Sequence, residues 1–257
     1  MKSTFLDMIL NQNYDLEEVR TRLDMVKMNI FNTKITEMPI SLQDVHVDLL
    51  VLLDQMMPTY IGVAYHYNKY IDDLYFDISW DEIKYTISES EYVSTAVREA
   101  KFITNLQSVL TTIKTGLDRL VAIFSYYYNG FSSDTTFGHI KESGSFKGFM
   151  NTVDRLKKED ELMSYIYDQY IEWISFAVKP RNIIMHYNDL TTSWHYDSKL
   201  NCLIPIHTCK KVLGKEHKSL VFNFTTIRDY CEKWYKFFGK VFSYLANKDI
   251  IYSKTRI

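Results

Sequence analysis

Between Ser94 and Tyr128, Ile103, Leu106, Leu110, Ile113, Leu117, Leu120 and Phe124 recur at alternating spacings of three and four. That stripe predicts a long helix buried along one face, and Asn129-Gly130 predicts its end. Arg98, Lys101, Lys114 and Asp118 fall off the stripe. A second such helix is expected from about Glu159 to Val178, with Met163, Ile166, Tyr170, Trp173 and Ala177 in phase. A third runs from about Thr225 to Ala246 on Ile227, Tyr230, Trp234, Phe237, Val241 and Leu245. Three apolar faces of this length require one another's company.

Upstream, Ser41-Leu42-Gln43-Asp44 reads as an N-terminal capping box with Asp in place of Glu, followed by Val45, Leu49, Leu52 and Met56 on one face. Pro58 is expected to kink or divide that helix before it continues to about Leu74, because proline removes a ladder donor. The first helix should start near Asp15. Between the second and third stripes, TTSWHYDSKLNCLIPIHT gathers β-branched and aromatic residues around Asp197-Ser198-Lys199, which predicts a β-hairpin inserted before the last helix. The acidic group Asp72, Asp73, Asp77, Asp81 and Glu82 reads as a solvated face. No repeat, linker or firm domain boundary interrupts the chain, so a single domain over 1–257 is expected.

Composition agrees with an all-α reading. Glycine (8) and proline (4) are scarce while tyrosine (20) and phenylalanine (15) are abundant, which suits long helices with aromatic seams. The 257 residues suffice for a sizeable core. Three cysteines, Cys202, Cys209 and Cys231, in no recurring spacing argue against a disulfide framework and for a reducing compartment, so a cytoplasmic location is expected. The N-terminal stretch is broken by Asp7 and lacks a cleavage pattern, and no uncharged apolar run reaches the roughly 18 residues of a membrane span, so no membrane partner is expected. A net charge of -2 excludes a protein that coats nucleic acid non-specifically. Any contact with nucleic acid must rest on a local patch.

One segment stands out from the packing pattern: KPRNIIMHYND, Lys179 to Asp189. Pro180 ends the helix before it and suits the first position of a new one. On a helix starting at Arg181, the side holding Arg181, Asn182, Met185 and His186 is opposite the side holding Ile183, Ile184 and Tyr187. Asn182 lies four residues before His186, the spacing at which an amide can fix an imidazole tautomer. Arg181 would sit in a first turn, where free N–H groups and the helix dipole already favour an anion such as phosphate. Arg181 and His186 are about 140° apart around such a helix and separated by about 7.5 Å of rise, so one copy presents a surface and two facing copies would make a cleft. The alternative is a charged helix start followed by an ordinary histidine.

The Arg181-Asn182-Ile183-Ile184-Met185-His186 run resembles the motif of the HEPN superfamily, whose ribonuclease members carry an arginine, often a polar residue after it, and a histidine after four to six intervening residues. Two long helices before the motif and one after it fit the same resemblance, which covers roughly 94–248. It implies an HEPN-like helical bundle over 93–250, with 1–92 as an N-terminal helical extension packed on it. It also implies a metal-independent endoribonuclease without a cofactor, acting on RNA as a toxin or defence nuclease through a composite site in a homodimer, with a possible antitoxin protein as partner. His186 would be the general acid or base, Arg181 would stabilise the phosphorane charge and Asn182 would orient the site. Lys179 and Tyr187 would flank the substrate. Some toxin members place a modifiable tyrosine two residues after the histidine; here Asn188 takes that place. The other reading is a non-catalytic HEPN-like module that binds a nucleotide or a partner protein.

Other groups carry less chemistry. CKKVLGKEHK, Cys209 to Lys218, offers Lys210 and Lys211 as RNA-backbone contacts or a solvated loop. Cys202, His207 and Cys209 match no standard zinc spacing, so no metal is expected. His46 and His66 read as packing or surface groups. Tyr126, Tyr127 and Tyr128 could stack bases or join an aromatic core.

Overall fold

The computed structural model describes residues 13–34, 43–77, 89–129, 135–140, 143–178, 190–197, 202–209 and 220–248, and over 190–223 the backbone alone. The protein is mostly helical, as the stripes predict. Helix α1 is Leu16–Lys34, α2 Gln43–Asp77 and α3 Glu89–Phe124. A two-stranded ribbon, β1 (His139–Ile140) and β2 (Phe146–Lys147), leads to a short α4, Phe149–Leu156. Then come α5 (Glu161–Gln169) and a π-helical turn, Tyr170–Ile174, with helix continuing over 175–178. Strands β3 (Leu190–Asp197), β4 (Cys202–Cys209) and β5 (Leu220–Asn223) form an antiparallel sheet in the order β3-β4-β5, and β5 passes directly into α6, Phe224–Asn247.

The residues placed on the three stripes are those that pack. Leu106, Leu110, Ile113, Leu117, Leu120 and Phe124 of α3 are fully buried, as are Met163 and Ile166 of α5 and Trp234, Phe237, Val241 and Leu245 of α6. One apolar core extends from Val19 and Leu23 of α1 to Ala246 of α6. Helix α6 is its centre: it packs on α1, α2, α5 and the π turn. Gly116 lets α3 approach it, since a Cβ there would lie 2.8 Å from Cζ2 of Trp234.

Several local expectations need correction. Pro58 does not divide its helix: α2 runs unbroken past it to Asp77. The missing donor costs one rung, but Pro58 faces solvent while Leu53, Met56, Tyr60 and Val63 on the opposite side are buried, so packing holds the helix across the gap. Ser41 and Leu42 of the expected capping box lie outside the described residues. Helix α3 stops at Phe124, short of Asn129-Gly130, and tightens through bonds from Tyr126 N to Ile123 O and Tyr127 N to Phe124 O. Asp15 does start the first helix, its Oδ1 accepting from the amides of Glu17 at 2.9 Å and Glu18 at 3.3 Å.

The expected hairpin pairing is present, with Asp197 opposite Cys202, the residues between them lying outside the described ones, and a third strand follows. Helix α4 and the β1–β2 ribbon are too short to leave a periodic stripe in the sequence. The ribbon depends on Gly138 and Gly148, whose φ values of 83° and 62° suit glycine, and on Phe137 beside them, which packs at 5.7 Å from Phe149.

By length and composition Val47–Asp73 could cross a membrane. In the fold, however, Leu49, Leu53, Met56, Val63, Tyr67 and Tyr70 of this helix are committed to the core.

Candidate functional site

The residues singled out for chemistry, Lys179, Arg181, Asn182, His186 and Tyr187, lie outside the described residues, as do Lys210 and Lys211. What is described is the frame that holds both segments. The upstream frame is α5 and its π turn. Asp160 caps α5, its Oδ1 accepting from the Met163 amide at 3.0 Å. Beyond Gln169 the ladder widens, and the Ser175 amide reaches back to the carbonyl of Tyr170. One extra residue per turn re-aims the chain just before Lys179, a device that recurs near functional sites. Side chains lock the turn: Trp173 Nε1 donates to Gln169 Oε1 at 3.0 Å, and Gln169 Nε2 donates to Glu172 Oε2 at 3.0 Å. Glu172 also pairs with Lys233 of α6 at 3.2 Å. Tyr170, Trp173, Ile174, Ala177 and Val178 are buried, so the chain reaches Lys179 from a fixed support.

The downstream frame is the sheet. Leu190, which follows Asp189, pairs with Cys209, which precedes Lys210, and Cys209 in turn pairs with Leu220. Backbones across such pairs stand about 5 Å apart. The residue that follows the arginine–histidine run in sequence is therefore the strand partner of the residue that precedes the lysine-rich run. About twenty residues of sequence separate them, and strand register removes that separation. No periodicity in the sequence signals this, because register is a property of the pairing. The strand β5 was the missing element, and Leu220-Val221-Phe222 is its only sequence signal.

Strand geometry also bears on Cys202, His207 and Cys209. All three are on β4, where five residues from Cys202 to His207 span about 16 Å. Ligands at about 2.0–2.3 Å from one zinc ion cannot be so far apart. Among the described residues, no group of three or more His, Cys, Asp or Glu side chains could hold a metal ion.

Tyr126, Tyr127 and Tyr128 are buried, so they belong to the core and cannot serve as a stacking platform. Tyr128 joins a polar clamp at the start of α5. Its hydroxyl donates to Asp160 Oδ1 at 3.0 Å, and Lys248 Nζ donates to Asp160 Oδ2 at 2.7 Å while lying 4.3 Å from the Tyr128 ring centroid. Burial pushes the Asp160 carboxyl up, but Lys248, the Met163 amide and the Tyr128 hydroxyl outweigh it and hold the group below its ordinary range. This clamp ties the end of α3, the start of α5 and the end of α6. His66 is half-buried on α2, its Nδ1 has no hydrogen-bond partner, and burial lowers its pKa. His46 has its side chain outside the described set.

No family model, curated protein or solved structure matches this chain. The fold itself defines the class: an all-α bundle carrying a three-stranded antiparallel insertion before its last helix.

Proposed function

We propose that the protein is a metal-independent endoribonuclease of HEPN type, acting as a toxin or defence nuclease with a composite active site in a homodimer. The observation that carries the reading is the sequence run Arg181-Asn182 to His186 between the second and third long helices. In this reading His186 takes the proton from the ribose 2′-hydroxyl as that oxygen attacks phosphorus, or delivers one to the departing 5′-oxygen. Arg181 stabilises the negative charge on the phosphorane, and Asn182 holds the imidazole. The bond to the 5′-oxygen breaks, leaving a cyclic phosphate end and a 5′-hydroxyl. Lys179, Tyr187, Lys210 and Lys211 contact the RNA backbone around that centre.

The sheet register supports the grouping, since Leu190 and Cys209 are partners and each adjoins one of the two segments. The test is incubation of the purified protein with total RNA in the presence of a chelator. Cleavage with cyclic phosphate ends is expected. Cleavage that requires an added divalent ion rejects the mechanism, and RNA binding without cleavage supports a non-catalytic module.

A further inference from the structure

The register of β3-β4-β5 sorts the strand residues onto two faces. Thr192 pairs with His207 and His207 with Phe222, so these three share a face, and strand alternation puts Trp194 and Tyr196 on it as well. All of the Trp, Tyr and Phe residues of the three strands therefore fall on one side. The other side holds the aliphatic Ile204, Ile206 and Val221 beside Thr191, Ser193 and His195. Neither β3 nor β4 packs on a described helix, and the sheet joins the bundle where β5 runs on into α6.

Charge follows the same division. Asp197 is the only acidic residue on the three strands, and it falls on the aliphatic side at the far end of β3. The chain leaving β4 begins Lys210-Lys211, and Lys218 stands two residues before Leu220. Cations thus adjoin, in sequence, the end of the sheet where Leu190, Cys209 and Leu220 form one row. An aromatic row without acidic neighbours, with cations next to one end, matches what a single strand of nucleic acid offers: a flat π face on every base and a negative charge on every phosphate. A duplex buries its base faces in its own stack and has little to give such a row.

We propose that the aromatic face of the sheet binds single-stranded RNA, with bases stacking on Trp194, Tyr196 and Phe222. The choice of RNA as occupant rests on the ribonuclease reading, and the face narrows the substrate to strands with unpaired bases beside the cut. At about 3.4 Å per residue, Trp194 stands about 14 Å and Tyr196 about 20 Å along β3 from Leu190, the residue that follows the arginine–histidine run. Trp194 and Tyr196 are about 7 Å apart on that count, twice the rise of one stacked base, so each ring can take a base of its own.

Fluorescence polarisation of a short labelled RNA strand tests the face, in a His186→Ala background so that the strand stays whole. Tighter binding of the single strand than of the same strand annealed to its complement is expected. Trp194→Leu and Tyr196→Leu keep apolar bulk but lose the ring, and each should weaken binding about tenfold. Trp194→Phe and Tyr196→Phe should bind close to the background protein, and His195→Ala, on the other side, should change nothing. Tryptophan emission should fall on binding, and fall less in Trp194→Phe. Leucine variants that bind unchanged, or equal binding of the duplex, overturn the proposal. Competition by inorganic polyphosphate as strong as by unlabelled RNA overturns it in favour of charge alone, and leucine variants that melt well below the background protein overturn it in favour of rings buried in a core. The nuclease and the face fail separately. A parent that cleaves RNA while its leucine variants bind unchanged keeps the nuclease and loses the face, whereas ring-dependent binding by a parent that does not cleave keeps the face and loses the nuclease.

Discussion

The hydroxyl of Tyr235 accepts a hydrogen bond from the backbone amide of Ala64 at 3.0 Å. It also donates to the carbonyl of Tyr60 at 2.9 Å, so it bridges the two groups of one rung of α2. That rung lies just past Pro58, where the ladder is already short of a donor. Burial pushes the Tyr235 phenol far up, so it stays neutral and serves as donor and acceptor together. Its ring lies 5.0 Å from Tyr60 and 5.4 Å from Tyr14.

Replacing Tyr235 by Phe keeps the ring packing and removes the bridge. Two buried backbone groups must then rejoin across the rung, and a loss of about 1–2 kcal/mol is expected. Urea unfolding followed by circular dichroism measures it. A Tyr235→Phe protein as stable as the parent means that the rung closes unaided.

Gly116→Ala adds one methyl group where the Trp234 indole sits against α3. An alanine normally favours a helix, so a surface site would gain slightly. Here overpacking should prevail and destabilise by about 1–3 kcal/mol. A raised melting temperature would mean that the two helices separate more freely than this packing implies.

Asp160 sets an acid limit on stability. Its carboxyl titrates lower in the folded protein than in the unfolded chain, so the unfolded state takes up protons first as pH falls. The contribution is complete above the unfolded value of about 3.9 and is lost as pH falls through the folded one. Asp160→Asn retains a capping acceptor but not the charge that Lys248 meets. It should be less stable than the parent at neutral pH by roughly 1–2 kcal/mol, with the difference shrinking towards pH 3. Equal destabilisation at both pH values would contradict the clamp.

For the ribonuclease reading, His186→Ala should lower the cleavage rate by about 10²–10⁴ with RNA affinity nearly intact. Arg181→Ala should weaken affinity and rate together, since a phosphate contact acts in ground and transition states alike. Asn182→Ala should cost less than either. Both Arg181→Ala and His186→Ala should melt close to the parent and be tolerated on expression where the parent arrests growth. Full cleavage by His186→Ala would remove the histidine from the chemistry.

The sequence alone determined the long helices and their buried faces, because helical burial repeats every 3.6 residues and leaves a local record. Met163, Ile166, Trp234 and Phe237 could be assigned to the core from spacing. Asp15 could be placed at a helix start, and the strands on either side of Ser198-Lys199 could be paired, for the same reason: capping and turn chemistry act within a few residues. Tertiary structure decided what depends on partners far along the chain. Pro58 stays inside a helix because α2 is gripped along its other face, and no neighbour in sequence reveals that. Gly116 is open to Trp234, Tyr235 completes a rung of another helix, and Leu190 meets Cys209, all through contacts between distant segments. Local spacing encodes which face of an element is apolar; which element covers that face, and in what register, is fixed only when the whole core closes.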